Sequence, residues 1–302
     1  MDATLLCRTA TSELYVRADG SIVKRSGVLA ASGAALGRRE VDFYRCVRGR
    51  PDRSLPVPVC HDASYDDDGG ARVILEPLLT APPVPLSRHD ALVLSIDALA
   101  SIHAAFWGDA PLRWSGALPL AGSGCPDTAG LRARLERACW RAPRILSDED
   151  ALTIGDVIES GVVEALARPG HRTLTHADLH ADNVLFRARG QSVEAVVIDW
   201  QLYEAGIGPC DVAHLLAFGL EPQDRRAAED VLVRRYHAGL VAAGVRAYSL
   251  DACVADYRLG IARNLLVLLG LSDNGTLTAA HADRALAAYR DMSVLTAART
   301  RR

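Results

Sequence analysis

One block near the middle of the chain constrains it more than any other. Thr175–Phe186 reads T-H-A-D-L-H-A-D-N-V-L-F, and Val196–Gln201 reads V-V-I-D-W-Q. Asp178 precedes Asn183 by five positions, and Asp199 follows Asn183 by 16, at the end of an apolar strand. A loop of that length can bring an aspartate and an asparagine to one ligand. The hairpin that follows returns the second aspartate beside them. Together they offer a carboxylate able to orient and deprotonate a hydroxyl, and hard oxygen donors of the kind that hold Mg²⁺.

Phosphoryl transfer from a nucleotide needs this set of groups. Singly, each of the three could be an ordinary turn residue. His176 and His180, four apart with Asp182 nearby, could also be read as a metal cluster. That spacing requires a helix, whereas Asn183–Phe186 reads as the start of a strand. We therefore expect His176 to support the loop by hydrogen bonds and His180 to reach the acceptor substrate. His103 sits beside Ile102 and Phe106 on the apolar side of its segment and reads as a core histidine.

The rest of the chain is organised around this block. Ser12–Arg17 and Ser21–Arg25 flank Ala18-Asp19-Gly20, a hairpin signal. A helix follows over about 34–48. Leu36, Glu40, Phe43 and Val47 share one face of it, so Glu40 stands in an apolar stripe. An unpaired carboxylate there is costly, and Lys24 on the preceding strand is its natural partner. Lys24 is the only lysine beside 33 arginines. It marks a place where a compact ammonium is needed and a planar guanidinium will not serve; drift explains the count equally well. Arg72–Glu76 reads as a buried strand ended by Pro77. Residues 80–85, with three prolines, read as a connector. Beyond it the pattern turns helical, with Ser87 as a cap and helices expected near 87–107, 129–146, 150–168, 223–243, 249–269 and 276–298. The β-rich island at 172–200 lies among them. Arg132, Arg134, Arg137, Arg141 and Arg144 are expected on solvated faces, and the acidic run at 66–68 in a hairpin turn.

Composition excludes several classes. The 302 residues are 49% hydrophobic, which excludes general disorder. The net charge of −3 gives no support for a nucleic-acid partner. No apolar run reaches the ~20 residues that span a bilayer, so no membrane association is expected. The seven cysteines are scattered and never form C-x-x-C, which argues against a disulfide framework and for a cytoplasmic setting.

The H-x-D-x-x-x-x-N block with its strand-end aspartate resembles the aminoglycoside phosphotransferase and choline-kinase-like family of small-molecule kinases. I-V-K (Ile22–Lys24), R-E-V-D-F-Y (Arg39–Tyr44), L-A-S-I-H-A-A-F-W (Leu99–Trp107) and C-D-V-A-H-L-L (Cys210–Leu216) support the resemblance. It implies an α+β, two-lobed protein-kinase-like fold. A small β-rich lobe would span 1–79, a connector 80–85 and a larger, mostly helical lobe 86–302. It implies Asp178 as catalytic base, Asn183 and Asp199 as Mg²⁺ ligands, Lys24 on the nucleotide phosphates with Glu40 behind it, and Asp211 bracing the catalytic loop. ATP or GTP would lie between the lobes, its base against the backbone at Glu76 and Leu78. The family's glycine-bearing phosphate loop is absent. Hydroxyls and N–H groups of Thr9, Thr11 and Ser12 would stand in for it. Trp200, Tyr203 and Tyr257 are candidates for the acceptor cleft, and a hydroxyl of an antibiotic is the expected acceptor.

Three other readings compete. A primary-metabolite kinase acting on choline would want an aromatic cage, and aromatics are only 5% of the chain. A protein kinase would need a peptide-docking activation segment, for which Leu202–Gly208 leaves too little chain. A pseudokinase would not need an intact Lys, Glu, Asp, Asn and Asp set.

Overall fold

The computed structural model describes residues 3–9, 11–27, 31–49, 55–65, 70–78, 86–109, 127–168 and 170–299. The connector at 80–85 and the acidic run at 66–68 lie outside the described residues. The chain divides into two compact units. The first comprises Met1–Ala105 and Asp182–Tyr203, the second Phe106–Ala181 and Glu204–Arg302. This grouping differs from a boundary drawn in chain order at 80–85. Residues 86–105 and the 182–203 hairpin group with the N-terminal sheet, because the helix in 86–105 packs on that hairpin.

The first unit is built on a five-stranded antiparallel sheet of β1 (Ala3–Arg8), β2 (Ser12–Arg17), β3 (Ile22–Ser26), β4 (Cys60–Tyr65) and β5 (Ala71–Leu75), in spatial order β1-β2-β3-β5-β4. The Asp19-Gly20 turn forms as expected, with Gly20 N–H donating to Arg17 O at 2.9 Å and Asp19 Oδ1 accepting from Ser21 N–H at 2.9 Å. Helix α1 (Ala31–Arg48) packs on β3, β4 and β5. It approaches closely at Gly37, where a Cβ would lie 2.5 Å from Ser26 Cβ and 2.7 Å from Ala71 Cβ. Glu40, one turn on from Gly37, therefore faces the sheet beside Lys24 of β3. Helix α2 (Arg88–Ala105) starts at Ser87, whose Oγ accepts from Asp90 N–H at 3.1 Å. The hairpin β7 (Val184–Arg189) and β8 (Ser192–Val197) completes the unit.

The second unit is mostly helical. It contains α3 (Thr128–Arg141), α4 (Asp148–Glu159), α5 (Val162–Ala167), α6 (Pro209–Gly219), α7 (Pro222–Ala242), α8 (Leu250–Asp273) and α9 (Ala279–Arg299), with the short antiparallel pair β6 (Thr173–Thr175) and β9 (Glu204–Gly206). Its core gathers Leu131, Ile154, Val157, Leu265, Leu269 and Leu286 among others. Helices α6 and α8 cross tightly at Gly260, where a Cβ would meet Ala213 Cβ at 2.7 Å and Cys210 Cα at 2.8 Å.

Several expectations need correction. The helix expected over 129–146 stops at Arg141. The one expected over 150–168 is two helices broken at Ser160-Gly161, two residues that rank poorly as helix interior. Helix α6 and strands β4 and β9 are additions, whereas β6 falls inside the expected β-rich island at 172–200. Arg134 is buried rather than solvated, its Nε donating to Asp273 Oδ2 at 2.7 Å. His103 is fully buried, as expected. The six described cysteines are free. Among the described residues no helix is long and apolar enough to cross a membrane.

Candidate active site

In the first unit the site begins with a strand. Lys24 points from β3 into a buried position, 7% exposed. Its Nζ lies 3.1 Å from Glu40 Oε1, 2.9 Å from Glu40 Oε2 and 2.7 Å from Asp199 Oδ1. Burial works to lower the ammonium's pKa, but the two carboxylates outweigh it and leave Lys24 above its usual range. Burial pushes the Glu40 carboxyl upward, opposed by the Lys24 charge and reinforced by Asp199. One cation thus serves two carboxylates, and the cluster carries a net negative charge.

The β7–β8 hairpin positions Asn183 and Asp199. Val184 pairs with Val197 at its open end, and Ile198 N–H donates to Asn183 O at 2.9 Å. The two residues are therefore stitched together through the backbone, as the 16-residue spacing suggests. Asp199 takes a left-handed conformation, φ 63°, which aspartate tolerates better than most residues. A Mg²⁺ ion takes few protein ligands, fills its octahedron with water and phosphate oxygens, and prefers hard oxygens. A carboxylate and an amide on adjoining backbone, beside a cluster with excess negative charge, fit such an ion. Among the described residues no group of three His, Cys, Asp or Glu side chains could hold a metal, so His176 and His180 form no such cluster.

Arg39 is a site residue that the sequence reading left without a role. Its Nε donates to Gln201 O at 3.0 Å, and its Nη2 to Leu202 O at 3.3 Å and also to Tyr203 O. It clamps the segment leaving Asp199. Its position next to Glu40 on α1 was the available signal.

The residues expected on phosphate are differently placed. Thr9 Oγ1 accepts from the N–H groups of Ser12 at 3.0 Å and Thr11 at 3.3 Å. The turn therefore spends its own donors internally. Ser12 is buried at 2% exposure, and Thr11 Oγ1 lies 3.5 Å from Gln201 Oε1. Glu76 N–H donates to Val59 O at 2.9 Å, and its carboxylate takes Val59 N–H at 2.8 Å and Arg187 Nη1. Leu78 is half-buried just beyond Pro77.

In the second unit the loop that carries Asp178 is braced by α6. Asp211 Oδ2 accepts from His176 N–H at 2.6 Å and Oδ1 from Ala177 N–H at 3.0 Å. His176 is fully buried, and its Nδ1 accepts from Asp178 N–H at 3.3 Å. Ala177 is held at φ 68°, a conformation that costs a Cβ-bearing residue of order 1–3 kcal/mol and persists only where the surroundings enforce it. Arg263 of α8 adds an Nη2 contact to Ala177 O at 3.5 Å. The outcome is an Asp178 side chain that is 43% exposed on a tightly braced loop. His214 Nε2 lies 3.8 Å from Asp178 Oδ1. Burial lowers the His214 pKa to about 4, against the pull of the Asp178 charge. His180 is half-buried on the same loop.

The three aromatic candidates are packed rather than presented. Trp200 is fully buried in the first unit, stacked on Phe43 at 4.2 Å and 6°, with Nε1 donating to Val197 O at 2.9 Å. Tyr203 is 2% exposed beside the same Phe43. A side chain with no free surface cannot line a cleft. Tyr257 is 7% exposed and donates to Glu229 Oε2 at 3.1 Å. It lines a cavity of about 140 Å³ with Arg225, Glu229, Val233 and Arg258, and no residue of the catalytic loop lines it.

A sequence model described as the phosphotransferase enzyme family matches residues 15–249. The chain belongs to that family. It is accordingly a phosphotransferase with the two-lobed kinase-like fold: a small antiparallel sheet lobe and a mostly helical remainder. Comparison with curated protein sequences gives no match. Among solved structures, similar folds include the GDP complex of wild-type aminoglycoside 2'-phosphotransferase-IIIa (14% identity, 94% of this chain and 93% of that one, TM-score 0.58). A thermostable variant of aminoglycoside phosphotransferase APH(4)-Ia in ternary complex with ADP and hygromycin B is 16% identical over 96% and 93%, TM-score 0.57. An aminoglycoside phosphotransferase from Alicyclobacillus acidocaldarius is 15% identical over 100% and 93%, TM-score 0.55. At such identities the likeness concerns the fold of this phosphotransferase.

Proposed function

We propose that this phosphotransferase moves the γ-phosphoryl group of ATP or GTP to a hydroxyl of a small molecule, with an antibiotic as the acceptor. The observation that carries the reading is Lys24 held between Glu40 and Asp199, at 2.9 Å and 2.7 Å. That arrangement presents a fixed ammonium beside a metal-binding carboxylate, as phosphate binding in kinases requires. Lys24 would neutralise phosphate charge, and Glu40 would keep it in place. Asn183 and Asp199 would hold Mg²⁺, which when bound offsets charge on the phosphate oxygens. Asp178 would orient the acceptor hydroxyl and take its proton. The hydroxyl oxygen then bonds to the γ-phosphorus as the bond to the β-phosphate oxygen breaks, releasing the nucleoside diphosphate.

The antibiotic part rests on two supports. One is the hygromycin B bound with ADP in a structure of similar fold. The other is chemistry: a phosphoryl group adds about −1.5 to −2 charge at pH 7, and the cost of desolvating that charge in a target pocket opposes drug binding.

The test is a screen of aminoglycosides, macrolides, nucleoside antibiotics, choline and sugars with ATP and with GTP, read as mass gain of one phosphoryl group. An antibiotic is expected to gain it. Asp178→Asn should then lower kcat by about 10²–10⁴-fold, the range for a lost general base, with nucleotide binding retained. Phosphorylation of choline or a sugar alone would replace the antibiotic reading. Near-normal turnover by Asp178→Asn would remove the base assignment.

A further inference from the structure

Helix α6 carries a second side chain to the catalytic loop. Asp211 and His214 are three residues apart, so they share a face of the helix. Asp211 takes the backbone N–H groups of His176 and Ala177, while His214 faces the Asp178 side chain itself. His214 is 5% exposed, with its ring 4.7 Å from that of Phe218 one turn further on. Its Nδ1 is buried with no hydrogen-bond partner. Of its two nitrogens, then, Nε2 is the one with an acceptor at hand.

The imidazole is neutral at physiological pH, since burial lowers its pKa to about 4. A neutral ring can carry one N–H. A proton on Nδ1 would be stranded, whereas a proton on Nε2 points toward Asp178 Oδ1. At 3.8 Å the pair is about 1 Å longer than a hydrogen bond, a gap that a small side-chain rotation closes. The other charges facing His214 are Asp211 on its own helix, Arg263 of α8 and His180 of the loop. Phe218 separates it from His281 of α9. A neutral donor has a specific merit here. It can orient a carboxylate without the 1–3 unit loss of basicity that a full positive charge brings.

We propose that His214 is a positioning residue for the phosphoryl-transfer reaction, its Nε2–H fixing the orientation of the Asp178 carboxylate toward the acceptor hydroxyl. The inference rests on the assignment of Asp178 as base. It adds a group that belongs to none of the three motif positions and acts through Asp178 rather than on the substrate.

The experiment uses the full chain as wild type, His214→Leu and His214→Gln. Glutamine keeps an N–H donor at similar reach, and leucine keeps bulk without one. With the acceptor found in the screen, His214→Leu should lose about tenfold or more in kcat, with acceptor KM within twofold, and His214→Gln should recover most of it. Equal losses in both variants, or a change in KM alone, would each overturn the proposal. A second readout needs no acceptor. Side-chain ¹⁵N NMR at pH 7 should show His214 as the Nε2–H tautomer in wild type, with that Nε2 resonance displaced in Asp178→Asn. An Nδ1–H tautomer, or a resonance indifferent to Asp178→Asn, would sink the contact. If wild type phosphorylates no acceptor of the screen, the antibiotic reading fails by itself, and the NMR result still decides the His214 contact.

Discussion

Lys24, Glu40 and Asp199 of the first unit hold one another by charge, whereas Asp178 of the second is placed by its own backbone. In the first, one ammonium from β3 lies within 2.9 Å of two carboxylates, one from α1 and one just beyond β8. In the second, the loop is fixed by N–H groups of His176 and Ala177 on Asp211, and by a left-handed Ala177. The difference matches what each group has to do. A buried cation such as Lys24 needs counter-charges, since an isolated buried charge is costly. In the mechanism proposed above Asp178 has to stay basic, and a strong cation beside it would lower that basicity. Its loop is set through the main-chain N–H groups of His176 and Ala177 on Asp211, and the contact proposed for His214 would orient the carboxylate without a full positive charge.

The comparison breaks first at Asp199. Asp199→Ala should abolish divalent-metal-dependent transfer, because a hard cation loses its anionic oxygen ligand. Phosphorylated product measured over a Mg²⁺ titration checks this, and full activity in the variant would place the metal elsewhere. Stability should suffer little, since Asp199 is 43% exposed and Lys24 keeps Glu40.

Asp211→Ala is the counterpart in the second unit, with the larger effect on folding. Two buried N–H donors lose their acceptor, at about 1–3 kcal/mol each, so denaturant unfolding should show a loss of about 2–6 kcal/mol. The left-handed Ala177 should relax as well, visible in the backbone amide shifts of 176–178. An Asp211→Ala protein with unchanged stability would show that the loop holds itself.

Glu40→Gln gives the smallest effect and the sharpest contrast. The folded-state pKa of Glu40 lies above its ordinary 4.5. The native state then binds more protons than the unfolded one between 4.5 and that raised value, so stability falls as pH rises through this window. Lys24, also raised, contributes stability that is present below 10.5 and lost as pH climbs through its folded value. Glu40→Gln should flatten the acidic slope and advance the alkaline loss, both readable from unfolding midpoints against pH. An unaltered profile would mean that the pair is not coupled to folding.

Much of the site was legible in the sequence because it depends on local periods. The apolar stripe Leu36, Glu40, Phe43 and Val47 identified a carboxylate that had to be paired, and the spacing from Asn183 to Asp199 matched a hairpin whose ends meet. The aromatic candidates failed for the opposite reason. Trp200 and Tyr203 follow Asp199 directly, and nothing local tells a cleft wall from a core. Phe43, more than 150 positions earlier, decides it by stacking on Trp200.

The sequence by itself singled out Asp178, Asn183, Asp199, the single lysine and its glutamate, since each stands out by residue type and short-range spacing. Tertiary structure decided which groups hold them. Arg39 on three carbonyls, Thr9 consuming the donors of its own turn, Arg263 on Ala177 and His214 facing Asp178 are contacts between distant segments. Which face of α6 meets the loop depends on α8 crossing it within a Cβ's width at Gly260. Close packing of that kind is a property of two surfaces together, and neither segment specifies it alone.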